Sequence, residues 1–343
     1  MNAELLSMKT GAELALAEAY AAAKAKLPGD GKVAALREAA FKQFDAAGLP
    51  SWRVEQWHYT DLRGLLRDVR PLAGAPDAAA KARAKDAGRL VGDIDVQRVV
   101  FVDGVFAPEL SDMDKLSPGL SICSMAQALA SGNPLVTANL GKVVPAEREG
   151  VIALNTALMS DGVLIHVAKG ATVEHPIHLV FAATGDKPAS VFTRSLVVIE
   201  QGARAMIVES HEAAAAHQVN TAIELVIGDK AHVDHIKITA GPDDLVHVAS
   251  LMAAVGAHAR FNDFTFNIGG GPGNAVSLLQ LLDHVGALGG LGRVEPAIDR
   301  VHRSSEFDGH VDCSCGRMPA PSNEAGRLNV RQFLSFHPRL SSV

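Results

Sequence analysis

The spacing of apolar positions changes along the chain, and the changes mark its parts. In KVAALREAAFKQFDAAGLP, Val33, Leu36, Ala40 and Phe44 fall on one helical face. Gly48 and Pro50 are placed to stop that helix. The preceding stretch, TGAELALAEAYAAAKAKL, opens with Thr10 and Glu13 spaced as a capping box, and Pro28 with Gly29 closes it. Two helices packed on each other are expected here. WRVEQWHYTDLRGLL, residues 52–66, holds both tryptophans and reads as a loop and short helix that pins the helical region to the main body. APDAAAKARAKDAGR, residues 75–89, shows no apolar face and predicts an exposed helix or linker.

The period then shortens to two. RVVFVDGVFAPEL predicts a hairpin turning at Asp103-Gly104. A short helix follows over 124–131, with Ser124 and Gln127 as a second capping pair. From about 151 to 268 short apolar runs alternate with Gly, Asp, Asn and Pro turns. Aligning the turns on Ala171, Ala203, Ala231 and Ala257 gives intervals of 32, 28 and 26 residues. A period in this range indicates a solenoid or propeller, but a propeller blade needs about 40 residues. The leucine ladder of a leucine-rich repeat is absent. The fold predicted is mainly β: a right-handed parallel β-helix with a helical N-terminal region. Alternation along SLVVIEQGARAMIVE assigns Leu196, Val198, Ala205 and Ile207 inward, and Glu200, Arg204 and Glu209 outward.

Composition narrows the function classes. The 343 residues are 48% hydrophobic but only 5% aromatic, so the interior is built from small aliphatic side chains. A net charge of −6 without a basic stripe argues against nucleic acid. No signal peptide and no bilayer-spanning apolar stretch is read, and the three cysteines, Cys123, Cys313 and Cys315, make no disulfide framework. A cytoplasmic protein with free thiols is expected.

The candidates for chemistry are weak. On a strand His232 and His235 point to opposite faces, while His232 and Asp234 share one. His166, His175 and His178 read as surface or turn histidines, and His211 with His217 bracket a loop between coils. Cys313 and Cys315 form a lone Cys-x-Cys without a second pair. Asp161, Glu174, Glu200, Glu209, Glu224 and Asp234 look scattered rather than gathered along one groove. The Gly-rich GGGPGN lacks the Lys-Ser/Thr of a phosphate loop. No residue is therefore assigned a catalytic, cofactor-binding or metal-binding role. Two other classes stay open: a β-helix carbohydrate-active enzyme, which needs clustered outward acids, and a His-based metal-binding protein.

Four runs in order, ALNTALMSDGVLIHVAKGATVEHPIHLVF (153–181), RSLVVIEQGARAMIVESHE (194–212), VNTAIELVIGDKAHVDHIKI (219–238) and FNDFTFNIGGG (261–271), resemble the core of the SufB/SufD family. LPSWRVEQWHYTDLRGLL and VVFVDGVFAPELS resemble the SufD side of it, and the likeness covers about residues 10–271. The resemblance implies a non-enzymatic scaffold subunit of the SUF iron–sulfur assembly system, pairing with a SufB-like subunit and a SufC-like ATPase. The complex would handle the nascent cluster, with none bound by this chain alone. The organisation expected is a helical region with linker (1–89), a hairpin and short-helix lead-in (90–150), a β-helix core (151–272) and a tail (273–343). After Pro272 the likeness stops, strand alternation vanishes and only NAVSLLQLLDHV suggests a helix. The tail reads as a truncated C-terminus: an aberrant segment, disordered or the product of a shifted reading frame. No interface histidine or ATPase-docking residue of the family carries onto His302, His310 or Cys313.

Overall fold

The computed structural model describes residues 9–29, 31–54, 57, 60–92, 94–143 and 150–269, and the backbone of a last strand over 275–283. The helices are α1 (Gly11–Ala23), α2 (Gly31–Ala47), α3 (Leu62–Leu65), α4 (Ala78–Ala84), α5 (Met125–Ala130), α6 (Pro134–Asn139) and α7 (Gly150–Leu158). The early strands are β1 (Gln97–Val102), β2 (Val105–Phe106), β3 (Leu120–Ser124) and β4 (Val163–Val167). They are followed by β5 (Ile177–Ala183), β6 (Ser190–Ile199), β7 (Arg204–Ala213) and β8 (Gln218–Ile227). The last are β9 (His232–Gly241), β10 (Val246–Val255), β11 (Arg260–Gly269) and β12 (Ala275–Asp283). They form two six-stranded sheets, β11-β9-β7-β5-β1-β2 and β12-β10-β8-β6-β4-β3. Successive strands alternate between the sheets, and each pairs in parallel with the strand one coil away. This is a parallel β-helix of about four turns.

The corner that closes each coil is a four-residue turn. Ala171, Ala203, Ala231 and Ala259 each donate a backbone hydrogen bond to the residue three before, at 3.0–3.2 Å. The third turn residue has positive φ: Gly170 (71°), Gly202 (71°), Lys230 (59°) and His258 (57°). The fourth repeat is thus in register on Ala259, not on Ala257 as the sequence spacing suggested. The slip has a physical origin. In the first two turns glycine sits at the left-handed third position. In the later two it sits at the first position, as Gly228 and Gly256, where a Cβ would come within 2.6 Å of the Gln201 and Asp229 amides of the preceding coil.

One continuous core fills the solenoid. Val163, Ile165, Val197, Ile199, Leu225 and Ile227 come from one sheet; Val99, Phe101, Ile177, Leu179, Ala205, Ile207 and Val233 come from the other. Ala205 and Ile207 face inward as expected. Leu196 and Val198 do not: they lie outside, under α5 and α6, with Met125, Leu129 and Val136. Apolar residues on both faces erase the alternation that assigns direction. Glu209, expected outside, is 3% exposed and shares the inward parity of Ala205 and Ile207.

The N-terminal region wraps the outer faces. Thr10 and Glu13 form the capping box, the Glu13 amide donating to Thr10 Oγ1 and the Thr10 amide to Glu13 Oε2. Glu13 Oε1 also accepts from the Leu49 amide, so one carboxylate ties the start of α1 to the end of α2. Trp57 and Leu62 are buried with Phe44 and α7, as the pinning reading required, whereas Trp52 stands exposed. The hairpin turns at Asp103-Gly104, both with positive φ. The 75–89 segment is not a bare linker: α4 presses Ala80 and Ala84 against Val100 and Val180. Small alanines need no large apolar stripe to pack closely.

Beyond residue 272 the strand text continues. Ala275–Asp283 pairs with β10, Ser250 opposite Leu278, where a helix had been suggested. Nine consecutive backbone pairings outweigh the weak helical spacing there. The remainder of the expected tail, including Cys313 and Cys315, lies outside the described residues.

On the outer face of the β12-side sheet, Arg194 and Glu224 are 1% and 0% exposed in their side chains and meet at 2.6 Å. Glu224 also accepts from the Gly141 amide, holding the segment before α7 onto the strands. Removing one member of a buried pair leaves the other uncompensated, at a cost of about 3–5 kcal/mol. Glu224→Ala should therefore lower unfolding stability by roughly that amount in urea titrations. A loss below about 1 kcal/mol would show that the pair is not what holds this layer.

Candidate functional site

Strand pairing lines up the inward side chains of β1, β5, β7, β9 and β11 in three columns. They run Gln97–Ile177–Ile207–His235–Asp263, Val99–Leu179–Glu209–Lys237–Thr265 and Phe101–Phe181–His211–Thr239–Asn267. Each column turns from mostly apolar to polar at its third or fourth member. On the facing sheet, Thr221 and His247 share the same end of the lumen. Ionisable groups are thus collected inside a solenoid whose early coils hold hydrocarbon.

Glu209 is the centre. Its Oε2 accepts from His211 Nε2 at 2.9 Å and its Oε1 from His235 Nε2 at 2.5 Å. His235 Nδ1 reaches Asp263 Oδ1 at 2.6 Å. Burial alone would raise the Glu209 carboxyl, but the bonds from His211 and His235 outweigh it and hold it far below the usual carboxylate range. Burial pulls His235 down, yet the bonds to Asp263 and Glu209 push it up to about 9. Burial keeps His211 and His247 low, and it lowers Lys237 against the pull of Glu209 and Asp263. His235 is consequently an imidazolium between two carboxylates, and His211 and His247 are neutral rings.

His247 places Nε2 3.1 Å from Thr221 Oγ1, and its ring lies 4.6 Å from that of His211. His211 stacks flat on Phe181 at 4.7 Å and 3°. Its Nδ1 is buried without a partner among the described residues.

The residues singled out from sequence go to different places. His235 lies inside and His232 outside beside Asp234, as strand parity required. His178, His211, His217 and His235 are buried rather than surface histidines, because the N-terminal wrap and the lumen cover both faces of the strands. His178 bonds Ser210 Oγ, and burial with Arg98 nearby drives it down to about 3. His217 accepts from the Ala189 amide and bonds the Gly185 carbonyl, fastening two loops. Asp161 accepts from Ser124 Oγ and from the Ala126 and Phe106 amides. Glu200 meets His166 at the surface, and Glu224 meets Arg194. These carboxylates do not converge. Among the described residues no three of His, Cys, Asp and Glu are placed to hold a metal ion. Sequence reasoning missed Lys237, His247 and Asp263; the signal was the coil register, which sets 235 over 207 and 263 over 235.

Comparison with known proteins bears on this architecture. Residues 16–179 match the SufBD protein N-terminal region, and residues 181–277 match the SufBD core domain of the SUF system for FeS cluster assembly. The chain belongs to the SufB/SufD family. It is 28% identical over 244 residues to the iron-sulfur cluster assembly SufBD family protein slr0076 of Synechocystis, covering 68% of this chain and 53% of that protein. It is 25% identical over 203 residues to the iron-sulfur cluster assembly protein SufD of Escherichia coli, covering 57% and 44%. The SufBD family protein ABCI9 of Arabidopsis thaliana matches at 31% over 107 residues, 30% of this chain and 23% of that one. The chain thus spans about half the length of the first two of these SufB/SufD relatives. The family core boundary at 181 falls inside β5, so the polar lumen belongs wholly to the core region.

The charge states fix a pH response. His235 has its folded value raised, so its contribution, on the order of 3 kcal/mol, is complete below about pH 6.5 and lost as pH rises through about 9. His178, His211 and His247 have theirs lowered, so their contributions are present above about pH 6.5 and lost as pH falls below it. Glu209, also lowered, adds a loss only in stronger acid. Lys237 acts against His235 on the alkaline side. Melting temperature should therefore peak near neutral pH, and decline from there as pH rises toward about 9 and as it falls into acid. His235→Gln should melt lower and lose the alkaline decline; a variant that keeps that slope would place the titration elsewhere.

Proposed function

We propose that this chain is a non-enzymatic scaffold subunit of an iron–sulfur cluster assembly complex, working with a SufB-like subunit and a SufC-like ATPase. The supporting observation is the unbroken succession of the SufBD N-terminal region and core over a single wrapped β-helix. A stacked, register-locked solenoid presents long rigid faces and corners, which suits docking on sister subunits. The nascent cluster is cargo of the assembled complex. The carbohydrate-enzyme reading loses its basis because the carboxylates it needs are spent on caps, ion pairs and the lumen. No helix among the described residues is long and apolar enough to cross a membrane.

Co-expression of the tagged chain with SufB-type and SufC-type subunits tests the reading. The SufB-type subunit should co-purify stoichiometrically. ATPase capture should be weak, because the family likeness read from sequence ends before the C-terminal part that docks it. Recovery of the chain without the SufB-type subunit would overturn the proposal; full ATPase capture would overturn its second part.

A further inference from the structure

Inside the lumen, successive coils set opposite charges together, as with His235 beside Asp263. One column on the outer face of the same sheet does the reverse. Strand register places His232 directly between Arg204 and Arg260. Both arginines are exposed, and neither side chain makes a hydrogen bond or ion pair among the described residues. Like charges opposed on a sheet cost stability, and the chain itself does not neutralise these. Lys230 and His258 stand exposed at the turns beside them. The neighbouring acids are mostly engaged. Asp234 Oδ1 accepts from Asn262 Nδ2 at 2.6 Å and lies 3.5 Å from His232 Nε2. Asp229 Oδ1 accepts from the Ala257 amide, and Glu200 accepts from the Lys169 amide and meets His166. Glu174 is exposed in the bend after Thr172, the residue that pairs with Arg204, so it borders only that end of the column.

The spacing of the column selects its partner. Coils lie about 4.8 Å apart, so the backbones of Arg204 and Arg260 are about 9.6 Å apart along the solenoid axis. An α-helix rises about 1.5 Å per residue, and its residues i and i+7 lie on one face about 10.5 Å apart. A strand laid along the same axis repeats one face every ~6.7 Å and misses the interval. The outer face of this sheet already carries a helix matched to its coils. Ala80 and Ala84, one turn apart on α4, pack with Val100 and Val180, which pair across adjacent strands. Leu90, Val91 and Ile94 cover Val208 and Ile236, and the arginine column stays open beside them. We infer that Arg204, His232 and Arg260 form a docking surface for an acidic helix of a partner protein, lying along the solenoid axis with carboxylates at i and i+7 against the two guanidiniums. A planar guanidinium holds a carboxylate by two parallel hydrogen bonds. Met206, half-buried two residues beyond Arg204, offers the flank of that helix an apolar contact. The inference stands on this column alone and does not use the assembly reading.

Exposed ion pairs are weak, so the test reads resonance shifts rather than capture. The full chain, labelled with ¹⁵N-arginine, is titrated at low salt with a stapled helical peptide carrying Glu at i and i+7 on an alanine–glutamine background. The Nε–H signals of Arg204 and Arg260 should move together and saturate at millimolar peptide. Those of buried Arg37 and Arg194 should stay in place and certify the fold. Moving the second Glu to i+5 turns it about 140° away and should weaken binding up to about five-fold. Arg260→Gln should weaken the i, i+7 peptide by a similar factor and leave the i, i+5 peptide nearly unaffected, the non-additivity of a direct pair. No movement, equal binding of the two peptides, or an Arg260→Gln loss shared by both would overturn the inference. An equal response to a short DNA duplex would also overturn it, by making the column a surface for any polyanion.

Discussion

Everything in this fold depends on the register between coils. β6 pairs with β8, and β8 with β10, over ten residues each; on the other sheet β7 pairs with β9 over nine and β9 with β11 over ten. Strand spacing of about 4.8 Å then fixes the separation of every inward column. A residue 28 positions later is therefore a direct neighbour, and its chemistry must suit. Like charges in one column would repel at that distance. The observed columns avoid this, setting His235 beside Asp263 and Glu209 beside Lys237. The turn geometry serves the same end: where glycine leaves the third turn position, Lys230 and His258 accept positive φ to keep the corner stacked.

The lumen is where that constraint becomes chemistry. Burying a carboxylate is costly unless donors surround it. Glu209 has two, from its own strand and from the next coil, and one is a charged imidazolium. Two acids, Glu209 and Asp263, are balanced by His235 and Lys237, so the group carries no large net charge into the interior. Arg194 and Glu224 solve the same problem on the outside of the other sheet, beneath the wrap. Glu224 is closed by the Gly141 and Val143 amides and Arg194 by the Asn155 Oδ1, whereas the inner cluster leaves the buried His211 Nδ1 without a partner among the described residues.

The sequence made the coil visible but not its direction. Tight turns, the Thr10–Glu13 cap and the Asp103-Gly104 hairpin were legible because each is a local device with a few residues of context. Inward parity was legible in β7, where Arg204 is exposed beside buried Ala205, and illegible in β6, where every residue is buried. Glu209 went astray for a related reason. Charge is normally an outward signal, and nothing local says that His235, 26 residues on, will meet it. Asp263 and His247 are likewise ordinary until the register is known. β12 was hidden by its own residues: AVSLLQLLD fits either period, and only pairing with β10 decides.

The two ends of the solenoid are built differently, and this explains where the charges lie. The first coil is closed by antiparallel strands, β2 against β1 and β3 against β4. There the third column continues as Phe106, whose ring tilts against Phe101, and rings then stack from Phe101 through Phe181 to His211. A charged group under that cap would have no further coil to supply its counter-ion. At the other end each polar strand has another to answer it: β7 by β9, β9 by β11. Charge can enter the interior only where parallel stacking continues. His211, the last ring of the aromatic column and a bonded partner of Glu209, is the point at which hydrocarbon gives way to the ion network.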